Sequence, residues 1–257
     1  MVAVPTPQQH PAADQTRPRL SVIVPAYNEE SRLGGTLDAI VAHLSDAGLS
    51  YELIVVDDGS TDGTADVVGR RPSACPQVRL LRNETNRGKG YSVRRGMQEA
   101  RGELVLFADA DNSTPIQQLE TLLAAIDQGA DIAIGSRGLP ESVLEVRQPA
   151  YREYMGRIFN LIVRLLTRLP FRDTQCGFKL FRRDVARDLA SRQTLDRWAF
   201  DVELLHLAVR KRGYTVAEVP VRWVNSPRTT LNALTDSLDM LREVLRIKWQ
   251  DLRRRYE

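Results

Sequence analysis

The sequence of 257 residues has few of the residues that hold small extracellular domains together. It contains two cysteines, Cys75 and Cys176, and three histidines. The cysteines lie far apart in the chain, and neither belongs to a cluster with the spacing of a zinc site. We therefore expect neither a disulfide framework nor a structural zinc ion, and we expect the protein to work in a reducing compartment.

Long apolar runs are also missing. The sequence has no 18 consecutive apolar residues, so it predicts no transmembrane helix. Residues 1–18 are rich in Pro, Gln and Ala without an apolar segment, which excludes a signal peptide and predicts a disordered tail. The expected location is therefore cytoplasmic.

Neither sign of charge dominates. The chain has 36 Lys and Arg against 33 Asp and Glu, a net charge of +3, which gives little support to a nucleic-acid partner. Basic clusters occur late, at residues 210–212 and 253–255. They indicate either a solvated face or contact with an anionic surface such as a membrane.

What the sequence does contain is a regular alternation of two hydrophobic periods. Strands are predicted at 20–24, 51–56, 78–81, 103–108 and 132–135, and helices at 28–43, 64–68, 89–100 and 115–127. The second half is less regular, with a strand at 176–181, a helix at 200–211, an edge strand at 216–224 and a helix at 230–255. This order predicts an α/β fold, a single domain with a mostly parallel sheet flanked by helices.

Polar segments follow the first four predicted strands. They are PAYNEE at 25–30, DDGSTDG at 57–63, NETNRGKG at 83–90 and DADNST at 109–114. Ligands of open α/β sheets bind at the carboxyl ends of the strands, so we expect these segments to meet in one crevice. Because GxGxxG and GxxxxGK[ST] are both absent, an ordinary dinucleotide-binding or P-loop enzyme is excluded.

Two carboxylates in the last of these segments have metal-ligand chemistry. Asp109 and Asp111 flank one small residue, Ala110, directly after an apolar strand. Hard divalent cations prefer carboxylate oxygens and share their remaining positions with water and a substrate diphosphate. The pattern predicts a Mg²⁺ or Mn²⁺ site, with a polar loop that binds no metal as the alternative.

Asp57 and Asp58 form a second acidic pair. Adjacent carboxylates repel each other unless they bind donors or a cation. We expect them to accept hydrogen bonds from a base or ribose, while residues 60–62 cap the following helix.

Three neighbouring features are open to two interpretations. Glu29 is either a ligand contact or a first-turn charge, and Lys89 is either a phosphate contact or a solvated side chain. Gly88 and Gly90 are expected to allow a close approach of the backbone to the ligand.

In combination, these segments resemble the family 2 inverting glycosyltransferases with the GT-A fold. The resemblance covers residues 19–230 and includes GSR at 135–137. DTQCGFK at 173–179 and RWAFDVELL at 197–205 are most similar to dolichyl-phosphate glucosyltransferases and, less closely, to dolichyl-phosphate mannose synthases. The resemblance implies one Rossmann-like GT-A domain over 19–257, with a nucleotide-sugar-binding half (19–140), an acceptor half (141–229) and a C-terminal amphipathic helix (230–257).

The resemblance also implies roles for single residues. The nucleotide and donor would be bound by Pro25, Ala26, Tyr27, Glu29, Asp57, Asp58, Lys89, Asp109 and Ala110. The metal would be bound by Asp109 and Asp111, and phosphate by Arg137 and Arg228. The catalytic set would be Asp109, Asp111, Arg137 and Asp201. Ser113 stands where mannose synthases usually have Gln, so a third metal ligand stays open.

The resulting hypothesis is a metal-dependent inverting transferase that moves a hexose to a polyprenyl or dolichyl phosphate. Glucose from UDP-glucose is the first choice of donor, and GDP-mannose is the second. A phosphate monoester is already anionic near neutral pH and needs no strong base. In that case Asp173 and Asp201 are expected to organise arginines.

Two alternatives remain at this stage. A family 2 transferase with a soluble or polysaccharide hydroxyl acceptor needs a carboxylate base, for which Asp201 and Asp173 are the candidates. A nucleotide-sugar-binding module without catalysis is the other, and the intact pair Asp109 and Asp111 argues against it.

A polyprenyl phosphate acceptor implies peripheral contact with the cytoplasmic face of a membrane. Helix 158–169 places arginines on one face and apolar residues on another, and the helix ending at 248–255 is amphipathic as well. Both are either ordinary surface helices or helices that lie in the membrane interface. Trp198 and Trp223 are expected to pack in the core or at its rim rather than to bind sugar.

Overall fold

The computed structural model describes residues 17–71, 77–145, 150–224 and 235–256. The strands are β1 (Leu20–Ala26), β2 (Tyr51–Asp57), β3 (Val78–Arg82), β4 (Leu104–Ala108), β5 (Ile132–Ser136), β6 (Val143–Leu144), β7 (Phe178–Arg182), β8 (Val216–Pro220) and β9 (Arg222–Trp223). The helices are α1 (Glu30–Asp46), α2 (Thr64–Gly69), α3 (Lys89–Glu99), α4 (Leu119–Asp127), α5 (Ala150–Thr167), α6 (Arg183–Arg192), α7 (Phe200–His206) and α8 (Thr235–Leu252).

Seven strands form one sheet in the order β3-β2-β1-β4-β7-β5-β8. β1 lies parallel to both β2 and β4, and β5 lies parallel to β8. β7 is antiparallel and is inserted between β4 and β5. The predicted α/β fold with a mostly parallel sheet is confirmed, and β6 and β9 form a separate two-stranded sheet.

Apolar side chains alternate between the two faces of the sheet along β1, and helices cover both faces. Ile23 packs into one core cluster with residues of α3, whereas Val22 and Val24 pack into the other with residues of α1. All three side chains are fully buried. Burying such a side chain contributes roughly 1.5–3 kcal/mol, so the residues on both faces of β1 stabilise the fold.

The central strands lie where their apolar runs predict them, but the second half differs in detail. α6 was not predicted, because half of its residues are charged and only one side is buried. The strand predicted at 176–181 begins at Phe178, and the helix predicted at 200–211 changes to wider π-type turns over Leu207–Arg212. The predicted edge strand is β8, and it ends at Pro220.

The helices of the second half form a layer beside the sheet. α5 packs against α8, which begins at Thr235 within the described residues. On α5, Leu166 packs against the core and Arg164 is exposed, as the amphipathic pattern predicts. Among the described residues, no helix is long and apolar enough to cross a membrane.

Candidate active site

Four loops meet at the carboxyl edge of the sheet, after β1, β2, β3 and β4. The backbone N–H of Asn28 donates to Ser60 Oγ at 2.9 Å, and the N–H of Gly88 donates to Asp58 Oδ2 at 2.8 Å. Lys89 Nζ lies 2.5 Å from Asp109 Oδ1. The expected convergence of the strand ends is confirmed by these contacts.

Asp109 lies against the backbone of the neighbouring antiparallel strand. Its N–H donates to the carbonyl of Gly177 at 3.1 Å. A Cβ atom at position 177 would come within 2.0 Å of Asp109 Oδ2, so only glycine leaves room for this carboxylate. The carboxylate is one-third exposed on its open side.

The rest of the acidic loop is fixed by local hydrogen bonds. Asp111 Oδ1 accepts the N–H of Ser113 at 2.9 Å, and Asn112 between them adopts φ 52°. The hydroxyl of Thr36 on α1 donates to the carbonyl of Ala110 at 2.7 Å. Because the Ala110 side chain is buried, a small residue is required between the two aspartates.

The pair Asp109 and Asp111 fits a divalent cation shared with a substrate. Among the described residues, no group of three or more His, Cys, Asp or Glu side chains is close enough to form an all-protein metal site. Mg²⁺ is usually held by one or two carboxylates together with substrate phosphates and water. Two carboxylates in an open crevice supply that kind of partial site.

Lys89 is the cation closest to this acidic pair. Burial alone would lower the pKa of its ammonium group, but the carboxylates of Asp109 and Asp201 outweigh burial and raise it. Lys89 therefore remains charged throughout the neutral range, and it is available to a phosphate if an ion takes its place on Asp109.

Asp57 and Asp58 bind the protein itself in this structure. Asp57 Oδ1 accepts the N–H of Ser60 at 3.0 Å. Asp58 accepts the N–H groups of Arg87 and Gly88 at 3.0 and 2.8 Å and the amide of Asn83 at 2.7 Å. These donors relieve the repulsion between the two acids, and contact with a base or ribose stays a prediction.

The two glycines of the NRGKG segment serve a packing role that differs from the expected one. Cβ atoms at Gly88 and Gly90 would collide with the backbone carbonyls of Asp196 and Leu195, at 2.4 and 2.8 Å. The close approach seen here is to the loop before α7, and an approach to a ligand stays a prediction. Gly88 also has φ 103°, a conformation that favours glycine.

The residues after β1 divide between the core and the surface. Pro25 and Ala26 are buried in β1, whereas Tyr27 is 45% exposed at the mouth of the crevice. Glu29 Oε1 accepts from Arg32 Nη2 at 2.6 Å. The contact of Glu29 with the nucleotide-sugar donor stays a prediction, because Arg32 binds this carboxylate in the structure.

Arg137 is held on the far side of the site by Asp173. Its Nε and Nη2 donate to the two carboxylate oxygens at 2.6 and 3.0 Å. Its Cζ atom lies 5.7 Å from the ring centroid of Trp223. Burial would raise the pKa of Asp173, but Arg137 outweighs burial and lowers it to about 2. Asp173 therefore organises an arginine, as the phosphate-acceptor hypothesis expects.

Asp201 does not organise an arginine, and that expectation is wrong. Its Oδ1 accepts from Lys179 Nζ at 2.6 Å, and the same ammonium donates to the carbonyl of Cys176 at 2.5 Å. Lys179 is fully buried and Asp201 nearly so. Burial raises the pKa of Asp201, while the two lysines at positions 179 and 89 oppose that effect.

Lys179 is a residue of this site that sequence reasoning missed. Its signal is a lysine inside the apolar strand FKLFR of β7. A fully buried ammonium group needs a charged or carbonyl partner, so that pattern predicts an acid nearby. Arg228, the second predicted phosphate ligand, lies outside the described residues.

Open α/β sheets bind their ligands at the carboxyl edge, and this chain gathers paired carboxylates and cations there. The family model described as glycosyl transferase family 2 matches residues 21–190. The chain belongs to glycosyl transferase family 2, which confirms the resemblance seen in the sequence.

Three relatives carry the same name, dolichyl-phosphate beta-glucosyltransferase. The protein from Dictyostelium discoideum is 38% identical over 91% of this chain and 75% of its own length. The protein from Drosophila melanogaster is 42% identical over 89% and 74%, and the human protein is 36% identical over 91% and 76%.

Two solved structures share the fold. Mannosyl-3-phosphoglycerate synthase from Rubrobacter xylanophilus has a TM-score of 0.69 at 23% identity, over 92% of this chain and 74% of its own. Glucosyl-3-phosphoglycerate synthase from Mycobacterium tuberculosis, solved with Mn²⁺, UDP-glucose and phosphoglyceric acid, has a TM-score of 0.66 at 20% identity, over 94% and 85%. These neighbours confirm the GT-A fold.

Proposed function

We propose that this protein transfers glucose from UDP-glucose to a polyprenyl phosphate, with inversion at the anomeric carbon. The name of the three relatives, dolichyl-phosphate beta-glucosyltransferase, supports a polyprenyl phosphate as the acceptor and glucose as the sugar. The observation on this chain that carries the proposal is the ion pair between Asp201 and buried Lys179. Because this pair occupies a candidate base, the proposed acceptor is one whose oxygen is already nucleophilic.

Asp109 and Asp111 would hold a divalent cation, Mg²⁺ or Mn²⁺. Such an ion, when bound, offsets negative charge on the departing diphosphate. Thr36 and Ser113 bind this loop by hydrogen bonds, and Gly177 leaves room for the Asp109 carboxylate.

Lys89 and Arg137 are the protein's own counter-charges. In glycosyl transfer the sugar passes through an oxocarbenium-like state while negative charge grows on the leaving group. A fixed ammonium and a fixed guanidinium stabilise that charge without reorganisation. We assign Lys89 to the donor and Arg137 to phosphate, with Tyr27 at the entrance for the nucleotide.

The acceptor class follows from the state of the two candidate bases. A hydroxyl acceptor would need a carboxylate that can take its proton. Asp173 is bound by Arg137 through both oxygens, and Asp201 is paired with an ammonium group at 2.6 Å. A phosphate monoester needs no such base, so this arrangement favours the polyprenyl phosphate over a sugar hydroxyl.

The outer faces of α5 and α8 support peripheral membrane contact. Five large apolar side chains are exposed there, at 45 to 75%: Leu161, Leu165, Leu245, Trp249 and Leu252. Arg253 and Arg255 lie over the Trp249 ring, with the guanidinium of Arg253 3.7 Å from its centroid. Apolar residues flanked by arginines suit an anionic membrane surface, and we place the enzyme at its cytoplasmic face.

The test is a transfer assay that separates the acceptor classes. The protein is incubated with radiolabelled UDP- or GDP-sugars and a short polyprenyl phosphate, with and without Mn²⁺, and the mixture is extracted with organic solvent. We expect label from UDP-glucose in the organic phase only when the cation is present. Label on a free sugar or glycan alone would contradict the proposed acceptor.

The matched variants are Asp111→Ala and Asp127→Ala. Asp111→Ala removes one of the two proposed cation ligands and should abolish transfer with the fold intact. Asp127 is an exposed acid at the end of α4, where the chain returns to the opposite edge of the sheet. Its replacement should leave transfer unchanged.

A further inference from the structure

Trp198 lies at the rim of the site with its ring partly uncovered. It is 36% exposed, and its ring centroid is 5.7 Å from Lys89 Nζ, the ammonium that contacts Asp109. Pairing with Lys89 satisfies one region of the ring and leaves apolar surface facing solvent beside a charged crevice. A ligand with a charged group attached directly to an apolar chain would match this pair of residues.

The loop that carries Trp198 is held rigidly. Gln193 Nε2 donates to the carbonyls of Gly90 and Leu195, each at 2.8 Å. The fully buried carboxylate of Glu203 accepts the N–H groups of Thr194 and Leu195 at 3.0 and 2.8 Å. The backbone that leads to Trp198 is therefore held in place, which lowers the entropic cost of binding a ligand there.

α8 connects the two sides of the site. Gln175 lies two residues after Asp173, the partner of Arg137, and donates from Nε2 to Met240 Sδ at 3.1 Å. Ala199, which follows Trp198, donates its N–H to Glu243 Oε2 at 3.0 Å. One turn of α8 thus spans from the arginine side to the tryptophan side, and the same helix carries the exposed apolar residues of its outer face farther along.

We propose that Trp198 forms a subsite for the first isoprene units of the polyprenyl phosphate acceptor. The inference rests on the proposed function and adds the residue that recognises the lipid portion. With the donor at Lys89 and the acceptor phosphate at Arg137, the apolar chain of the acceptor must leave the crevice, and α8 borders both of its sides. Trp198 is the exposed aromatic side chain beside Lys89 on that route.

The test compares Trp198→Ala and Trp198→Phe with the wild-type protein in detergent solution. The acceptors are a short isoprenyl phosphate and, as the arm without a chain, methyl phosphate. We expect Trp198→Ala to raise KM for the isoprenyl phosphate about tenfold, the effect of losing part of a buried aromatic surface. KM for UDP-glucose and the affinity for Mn²⁺ with UDP should stay within about twofold, and Trp198→Phe should restore most of the loss.

Each other outcome overturns the inference. An unchanged KM for the isoprenyl phosphate, with transfer intact, shows that Trp198 does not contact the chain and leaves the proposed function standing. A rise in KM for UDP-glucose alone assigns the ring to the hexose instead. If the wild-type protein transfers glucose to methyl phosphate as well as to the isoprenyl phosphate, there is no lipid subsite, and if it transfers to neither, the proposed function fails too.

Discussion

Replacing Gly177 with alanine tests the link between the antiparallel strand and the acidic pair. The new Cβ would lie 2.0 and 2.4 Å from the two carboxylate oxygens of Asp109. Ordinary contact needs about 3.4 Å, so the carboxylate must move by roughly 1 Å or more. A misplacement of about 1 Å can cost on the order of a hundredfold in rate, and we expect a loss of that size in kcat/KM.

The stability of Gly177→Ala should change little, because the group that moves is the end of a partly exposed side chain. We expect a change in the free energy of unfolding of less than about 1 kcal/mol, measured by denaturant titration. The functional loss is measured as Mn²⁺ affinity by electron paramagnetic resonance with UDP present, and as transfer of labelled glucose. Weaker Mn²⁺ binding in a stable protein is the expected combination.

Gly35→Ala is the matched control. A Cβ at this exposed position of α1 meets nothing within 4 Å. Alanine in place of glycine inside a helix should raise the stability by about 0.5–1 kcal/mol and leave Mn²⁺ binding unchanged. The reasoning is refuted if Gly177→Ala binds Mn²⁺ and turns over as well as this control.

Three further predictions concern charged groups. Lys179→Met leaves the buried Asp201 carboxylate unpaired, so the free energy of unfolding measured in denaturant should fall by about 3–5 kcal/mol. Adding Asp201→Asn should recover much of this loss. Unchanged stability of the single variant would contradict the pairing. The pKa of Asp173 falls to about 2 beside Arg137, so its contribution of about 2 kcal/mol is present above the unfolded value near 4 and is lost as the pH falls toward 2. Asp173→Asn should therefore lower the stability by that amount at neutral pH, and equal stability would refute it. Burial lowers the pKa of His206, so the unfolded chain takes up the proton first and stability should decline as the pH falls below about 6.5. His206→Phe should flatten that decline in thermal unfolding, and an unaltered slope would rule out His206 as its cause.

Much of the first half of the chain was predictable because its signals are local. The runs LSVIVPA, YELIVVD and LVLFA become β1, β2 and β4, since their buried residues are contiguous in sequence and each run is bounded by polar or turn residues. The acidic pair after β4 was recognisable from two carboxylates around one small residue. What the sequence did not reveal is that Asp58 binds the loop after β3 and that Asp57 binds Ser60 in its own loop, because their donors are mostly backbone N–H groups that carry no residue signature.

The second half was harder, because its partners are distant in the chain. The direction of β7 cannot be read from FKLFR, whose apolar pattern is the same in parallel and antiparallel strands. Its pairing with β4 brings Gly177 to Asp109, and its buried Lys179 meets Asp201 of α7. Ion pairs across such separations depend on strand order rather than on local spacing.

The sequence by itself determined the α/β class, the edge of the sheet where the polar segments meet and the acidic pair Asp109 and Asp111. Those properties depend on hydrophobic period and on residues that are neighbours in the chain. The tertiary structure decided which carboxylates remain open and which are neutralised by a cation, because that depends on side chains brought together from separate strands. Lys179 and Arg137 pair with Asp201 and Asp173, Lys89 contacts Asp109 at the crevice, and no local pattern in the sequence contains these pairings.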